Sequence, residues 1–104
     1  MASSEEFVRF VADQISDAGI IRFRKMFGEY GIYVNGIYCA TVCDNRFFVK
    51  ITGAGTALCP DCATEYPYEG SKRKCFLVTD LENRDRLAML LQATAADLAR
   101  GKSP

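Results

Sequence analysis

Cys59-Pro60-Asp61-Cys62 is the motif in this sequence whose residue types and spacing could carry chemistry directly. Two thiols three positions apart can form a redox pair, or supply half of a tetrahedral zinc site. A thioredoxin-like pair follows a strand and opens a long helix; this one lies in a loop after a run of predicted strands. A zinc site would need two more thiolates, because the chain has no histidine. Cys39 and Cys43 are four apart on one predicted strand. At the usual strand rise they are about 13 Å apart, too far to pair or to share an ion readily. One of them together with Cys75 remains available. Against both readings stands a plainer one, ordinary small residues in a reduced protein, which the loop context favours.

Other chemistry is scarce. Without histidine the commonest general base is missing, and so is the usual partner of a nucleophilic Cys or Ser. Gly53-Ala54-Gly55 is too short for a phosphate loop and leads into no long helix. No pattern points to a Lys or carboxylate catalyst. The expectation is a chain that is not an enzyme and carries no cofactor. Arg22, Arg24 and Lys25 interleave with Phe23 and Phe27, and Lys72-Arg73-Lys74 is a second basic cluster. Cations beside aromatics can hold single-stranded nucleic acid, but they also discourage edge-to-edge strand pairing. The chain has 13 basic and 13 acidic residues and no formal net charge. A free-standing nucleic-acid binder normally has a basic excess. Arg22, Arg24, Lys25, Phe27 and Tyr30 are therefore taken as an interaction surface for a protein partner.

The elements that position these residues follow from pattern. At 104 residues, with 49% hydrophobic and 25% charged side chains, the chain fits one globular domain over residues 1–104. No apolar run reaches membrane-spanning length, about 18 residues. The acidic start lacks a signal-peptide pattern, so a cytoplasmic location is expected, and the odd count of five cysteines suits a reducing compartment.

Ser3-x-x-Glu6 reads as a capping box, followed by Phe7, Val8, Val11, Ile15 and Ala18 at helical spacing. A helix is predicted over 4–18, with Gly19 as its left-handed C-cap. Strands are predicted over 21–24, 30–34, 37–43 and 46–51. Asn35-Gly36 between β-rich runs is the strongest short-range hairpin signal, and Asp44-Asn45 marks a second turn. Links this short force antiparallel pairing. Residues 52–62 read as a helical turn or loop, 64–73 as irregular and 74–78 as a last strand. Asp80–Asn83 offer N-caps for a final helix with Leu87, Leu90, Leu91, Thr94 and Leu98 on one face. The tail Gly101-Lys102-Ser103-Pro104 is expected to fray. The class is α+β.

With regular two-residue loops, Tyr30, Ile32, Val34, Ile37 and Cys39 share one face. Tyr33, Tyr38, Ala40, Val42, Phe47, Val49 and Ile51 share the other, and Arg46, Phe48 and Lys50 join the first. A one-residue slip would exchange them. Both faces are substantially apolar, and two helices cover one. Either a partner, a second copy of the chain included, or the loop at 52–73 covers the other.

The run Lys25-Met26-Phe27-Gly28-Glu29-Tyr30-Gly31-Ile32-Tyr33 is followed by Asn35-Gly36, Phe47-Phe48-Val49-Lys50, Pro67-Tyr68 and Asp80-Leu81-Glu82. In this order and spacing the chain resembles the N-terminal domain of the TfoX/Sxy family over roughly residues 7–100. The Met-Phe-Gly-x-Tyr-Gly run carries most of the specificity. The resemblance implies a two-layer domain, an antiparallel meander sheet with N- and C-terminal helices packed on it. It implies a bacterial, cytoplasmic, non-catalytic protein, and it carries no catalytic residue over. Full-length members regulate natural competence with the cyclic-AMP receptor protein and have a C-terminal helical domain beyond the length of this chain. The expected role is protein binding. The Cys59-x-x-Cys62 pair is not something the resemblance implies.

Overall fold

The computed structural model describes residues 3–26 and 28–101. Phe27 and the tail from Lys102 to Pro104 lie outside the described residues.

Helix α1 (Glu5–Gln14) begins one residue later than the capping box suggests. Ser4 is the N-cap, its hydroxyl accepting from the Phe7 N–H at 3.2 Å, and Glu5 and Glu6 lie at the positive end of the helix dipole. Ser3 is recruited elsewhere: its hydroxyl donates to Glu29 Oε1 at 2.8 Å and accepts from the Asn45 N–H at 3.0 Å. The helix also ends early. A 3-10 turn follows over Ser16–Ala18, and Gly19 has φ 149° and ψ −153°, which is not a left-handed cap. A Cβ at Gly19 would come within 2.7 Å of Asn35 Oδ1, because the Asn35 side chain folds back to accept from the Ile20 N–H at 2.8 Å.

Strands β1 (Ile21–Met26), β2 (Glu29–Val34), β3 (Ile37–Cys43) and β4 (Arg46–Lys50) form the meander. Both turns are two-residue and left-handed: Asn35 and Gly36 have φ 51° and 83°, Asp44 and Asn45 53° and 54°. The chain then passes through α2 (Gly53–Leu58), β5 (Ala63–Glu65), β6 (Cys75–Val78) and α3 (Arg84–Ala99). Among the described residues one antiparallel sheet results, in the order β1-β2-β3-β4-β6-β5. Strand β5 falls where the sequence reads as irregular. It is short, fully exposed and at the sheet edge, so it has no apolar alternation to betray it.

The two faces differ from the regular-hairpin expectation, and the cause is one residue. Ile32 pairs with Ala40 but Tyr33 pairs with Tyr38, so Cys39 is the extra residue of a β-bulge. Ala40 and Val42 thereby move to the face of Ile32 and Val34. Phe47 and Val49 follow, through Val42↔Phe47 and Ala40↔Val49. Phe48 and Lys50 go to the face of Tyr33 and Tyr38.

The Ile32 face is the core. Val8 and Val11 of α1, Ile15 just after it, and Leu87, Leu90 and Leu91 of α3 pack with Ile32, Val34, Val42, Phe47, Val49 and Phe76 in one buried cluster. Asn83 caps α3 by accepting from the Arg86 N–H at 3.2 Å. Arg84 ties the two helices, donating to Asp13 Oδ2, Gln14 Oε1 and Ser16 Oγ at 3.3, 3.0 and 3.1 Å. At the other end of α3 the nearly buried Asp97 carboxylate accepts from the Ala54 N–H at 2.8 Å and from Arg100 at 2.6 Å. That pins the start of α2.

Candidate functional site

Helices α1 and α3 pack on the Ile32 face and leave the second face of the sheet without their cover. Strand pairing lines up Arg22↔Tyr33 and Tyr33↔Tyr38 across three strands, and Lys50↔Cys75 continues the line across β4 and β6. The Tyr33 and Tyr38 rings lie 5.4 Å apart and tilted by 33°. Lys50 Nζ stands 4.3 Å over the Tyr38 ring, a cation–π contact that joins the two segments. The Tyr38 hydroxyl is 2.6 Å from Thr41 Oγ1, and burial pushes its pKa up. Beside this row, Arg24↔Gly31 and Gly31↔Thr41 form a second one. Gly31 keeps its floor low: a Cβ there would lie 2.6 Å from Met26 Cε and 3.0 Å from Tyr38 Cε1.

Residues 66–74 border the far end of the row. They enclose, with the sheet, a cleft of about 920 Å³ lined by Tyr38, Lys50, Tyr68, Lys72, Arg73 and Lys74 among others. Pro67 is buried there, and Lys74 Nζ lies 5.6 Å from the Tyr66 ring centre. Phe48 is fully buried although the helices are on the opposite side, with the Arg46 guanidinium over its ring at 5.1 Å. Of the 52–73 segment, α2 packs on α3 and only the part from Pro67 onward lines the cleft on this face, and Tyr33, Tyr38, Thr41 and Lys50 remain partly accessible.

The neutral total conceals an uneven distribution. Among the described residues the ion pairs are Arg9–Glu5, Arg46–Glu65, Arg84–Asp13, Arg86–Asp61 and Arg100–Asp97. The described cations outside these pairs are Arg22, Arg24, Lys25, Lys50, Lys72, Arg73 and Lys74. All but Lys25 belong to the open face or to the loop that borders it. Glu69 is the carboxylate within that loop. On the helical side acids dominate: Glu5, Glu6, Asp13 and Asp17 near α1, then Asp80, Glu82 and Asp85 leading into α3.

The surface expected from sequence is divided by the fold. Arg22 and Arg24 are exposed on the open face. Lys25 is exposed at the same edge strand but on the helical side by strand alternation. Tyr30 is only 6% exposed and packs edge-to-face on Phe23 at 5.9 Å, so it supports the sheet from within and presents nothing to a partner. Phe27 lies outside the described residues. Tyr33, Tyr38 and Lys50 were not singled out in sequence. Their nearest signal was the Lys72-Arg73-Lys74 cluster, which reaches Lys50 only because β6 inserts between β4 and β5.

The cysteines separate into two groups. Cys59 and Cys62 are joined as a disulfide, with Cα atoms 5.4 Å apart. Cys39, Cys43 and Cys75 are free. Burial raises all three thiols, Cys39 and Cys43 to about 11. Among the described residues no three Cys, Asp or Glu side chains converge as metal ligands would, so the geometry does not complete a zinc site around the pair. Nor is any described helix long and apolar enough to cross a membrane.

The family model described as TfoX N-terminal domain matches residues 13–97. A 12.7 kDa protein encoded in the trpE 5′ region of Spirochaeta aurantia, itself described as uncharacterized, is 34% identical over 102 residues, covering 98% of this chain and 89% of that protein. The chain belongs to the TfoX N-terminal domain family.

Proposed function

We propose that this domain is a non-catalytic protein-interaction module that docks an acidic partner surface on the open face of its sheet. The observation that carries the proposal is the sorting of charge. Arginines on the helical side lie in ion pairs within the chain, whereas among the described cations of the open face and its loop only Arg46 has a carboxylate partner, Glu65; Arg22, Arg24, Lys50, Lys72, Arg73 and Lys74 stand outside any ion pair, the last four bordering a formed cleft. Unpaired cations beside partly buried aromatic rings suit an interface that reads charge at its rim and apolar shape at its centre. A two-fold pairing through this face would set cation against cation, so the partner is assigned as something other than a second copy. A cytoplasmic setting and a part in transcriptional regulation, including competence, are the family-level extension of this role.

The test is calorimetric titration of the full chain with a glutamate-rich peptide and with a single-stranded oligonucleotide of equal charge. Binding of the peptide should weaken with salt and be lost in a Lys72→Glu, Arg73→Glu, Lys74→Glu variant. Each exposed contact is worth about 0.5 kcal/mol, so several must act together. Tighter binding of the oligonucleotide, or binding of neither probe, would overturn the assignment.

A further inference from the structure

We propose that Cys59 and Cys62 form a thiol–disulfide exchange site that reacts with small thiols and disulfides of the glutathione class, with Arg86 stabilising Cys59 as the leaving thiolate. The two sulfurs are unequal. Cys59 ends α2 and is 3% exposed, whereas Cys62 is half-buried. Both cysteines border a cleft of about 290 Å³ together with Asp61, Leu77, Thr79 and Arg86, and Cys62 is the more exposed of the two. An attacking thiolate therefore meets Cys62 first.

Arg86 Nη2 donates to Cys59 Sγ at 2.9 Å and lies 3.4 Å from Asp61 Oδ1. A guanidinium stays protonated at every relevant pH, so it places positive charge beside one sulfur of the pair, offset in part by the exposed Asp61 carboxylate. The carbonyls at the end of α2 oppose a thiolate, but the helix has only six residues. A helix end carries roughly half a charge, whereas the Arg86 guanidinium is in direct hydrogen-bonding contact with Cys59 Sγ. The free cysteines have no such neighbour in hydrogen-bonding reach, and desolvation dominates them. A lower leaving-group pKa speeds exchange, so the asymmetry favours reaction in one direction: attack at Cys62, departure at Cys59.

The step balances. A small thiolate attacks Cys62 Sγ, a new sulfur–sulfur bond forms, and the electron pair of the Cys59–Cys62 bond leaves on Cys59. A second small thiolate attacks the small-molecule sulfur of that mixed disulfide and releases Cys62. Two small thiols are oxidised to one disulfide, and the protein disulfide is reduced to a dithiol by the same two electrons. One proton ends on Cys62, and the other goes to solvent while Cys59 stays ionised. The reverse reaction begins with Cys62 attacking a small disulfide, after which Cys59 displaces the small thiol.

The full chain should be equilibrated in buffers of graded glutathione to glutathione-disulfide ratio and alkylated. The tryptic peptide covering residues 51–72, which holds both cysteines, is then weighed. The pair should pass from oxidised to reduced as a single two-electron couple. Arg86→Met should make the disulfide about tenfold harder to reduce at neutral pH, a midpoint lower by about 30 mV, and Arg86→Lys should keep part of the effect. In a Cys62→Ser variant, where Cys59 is free, its thiolate absorbance should appear below the ordinary thiol range, about pH 8.5. A purely structural bridge would move none of these. A pair locked oxidised or reduced across the whole range, an unchanged midpoint in Arg86→Met, or a Cys59 that titrates at or above the ordinary range would each overturn the proposal.

Discussion

Deletion of Cys39 is the perturbation that bears most directly on how this sheet is built. The bulge at Cys39 is what places Ala40, Val42, Phe47 and Val49 on the helical side. Without the extra residue, Asn35-Gly36 would continue as a regular hairpin in which Ala40 still faces Ile32 and Val42 still faces Tyr30, so the parity of everything after position 39 is kept. If the faces were set instead by the residue count from the turn, the deletion would turn Val42, Phe47 and Val49 outward, and each is at most 1% exposed. Losing the burial of such side chains costs about 2 kcal/mol apiece, so about 6 kcal/mol for the three. That is comparable with the whole stability of a domain this size, about 5–15 kcal/mol. The control is Cys39→Ala, which keeps the residue count and removes only a small buried thiol, at about 1 kcal/mol. Urea unfolding followed by far-ultraviolet circular dichroism compares the two. Both variants should unfold cooperatively from a native baseline, with midpoints modestly below the parent. A deletion variant with no native baseline would refute the reasoning, because Cys39 would then not be the dispensable residue of the bulge.

Three further outcomes follow from single contacts. Arg84→Ala removes the donor that reaches Asp13, Gln14 and Ser16; it should lower unfolding stability by about 1–2 kcal/mol, read as a shift in urea midpoint. Hydrogen bonds from the Ala54 N–H, and then Arg100, hold the Asp97 carboxyl below its ordinary value of 3.8. A depressed folded value means that Asp97 stabilises the fold above the ordinary carboxylate range, with the contribution lost as pH falls through the folded value. Asp97→Asn should therefore be less stable than the parent at neutral pH, with the gap closing in acid, as measured by melting temperature against pH. Gly31→Ala should press on Met26 and Tyr38. The expected loss is about 1–3 kcal/mol, together with weaker binding of the glutamate-rich peptide.

Much of the fold was legible in the sequence because its turns carry strong local chemistry. Asn35-Gly36 and Asp44-Asn45 each hold two residues at positive φ, and β3 spans Ile37–Cys43 as its pattern indicates. The bulge was not legible. Ile37-Tyr38-Cys39-Ala40-Thr41-Val42-Cys43 is apolar at both parities, so either register reads equally well. Ser3 and Ser4 are chemically equivalent as caps; tertiary bonds from Ser3 to Glu29 and Asn45 decided between them. The open face was the least legible part. Lys50 and the 72–74 cluster meet only through the strand order, and Tyr30 carries the same aromatic signal as Tyr33 while lying on the opposite side. Likewise the Cys59–Cys62 spacing was plain, but Arg86 reaches the pair from a helix 27 positions away.

The segregation of charge has a consequence for how the domain meets anything at all. A chain with no net charge exerts no monopole field, so it does not draw a partner from a distance as a strongly charged protein does. With unpaired cations on one side and acids on the other, it carries a dipole moment directed through the sheet. A dipolar field falls faster with distance than that of a single charge, and salt screens it over about 8 Å under physiological conditions. Electrostatics thus acts late, as a torque that turns the cation-bearing face toward a negative surface already nearby, and selectivity rests on orientation at contact.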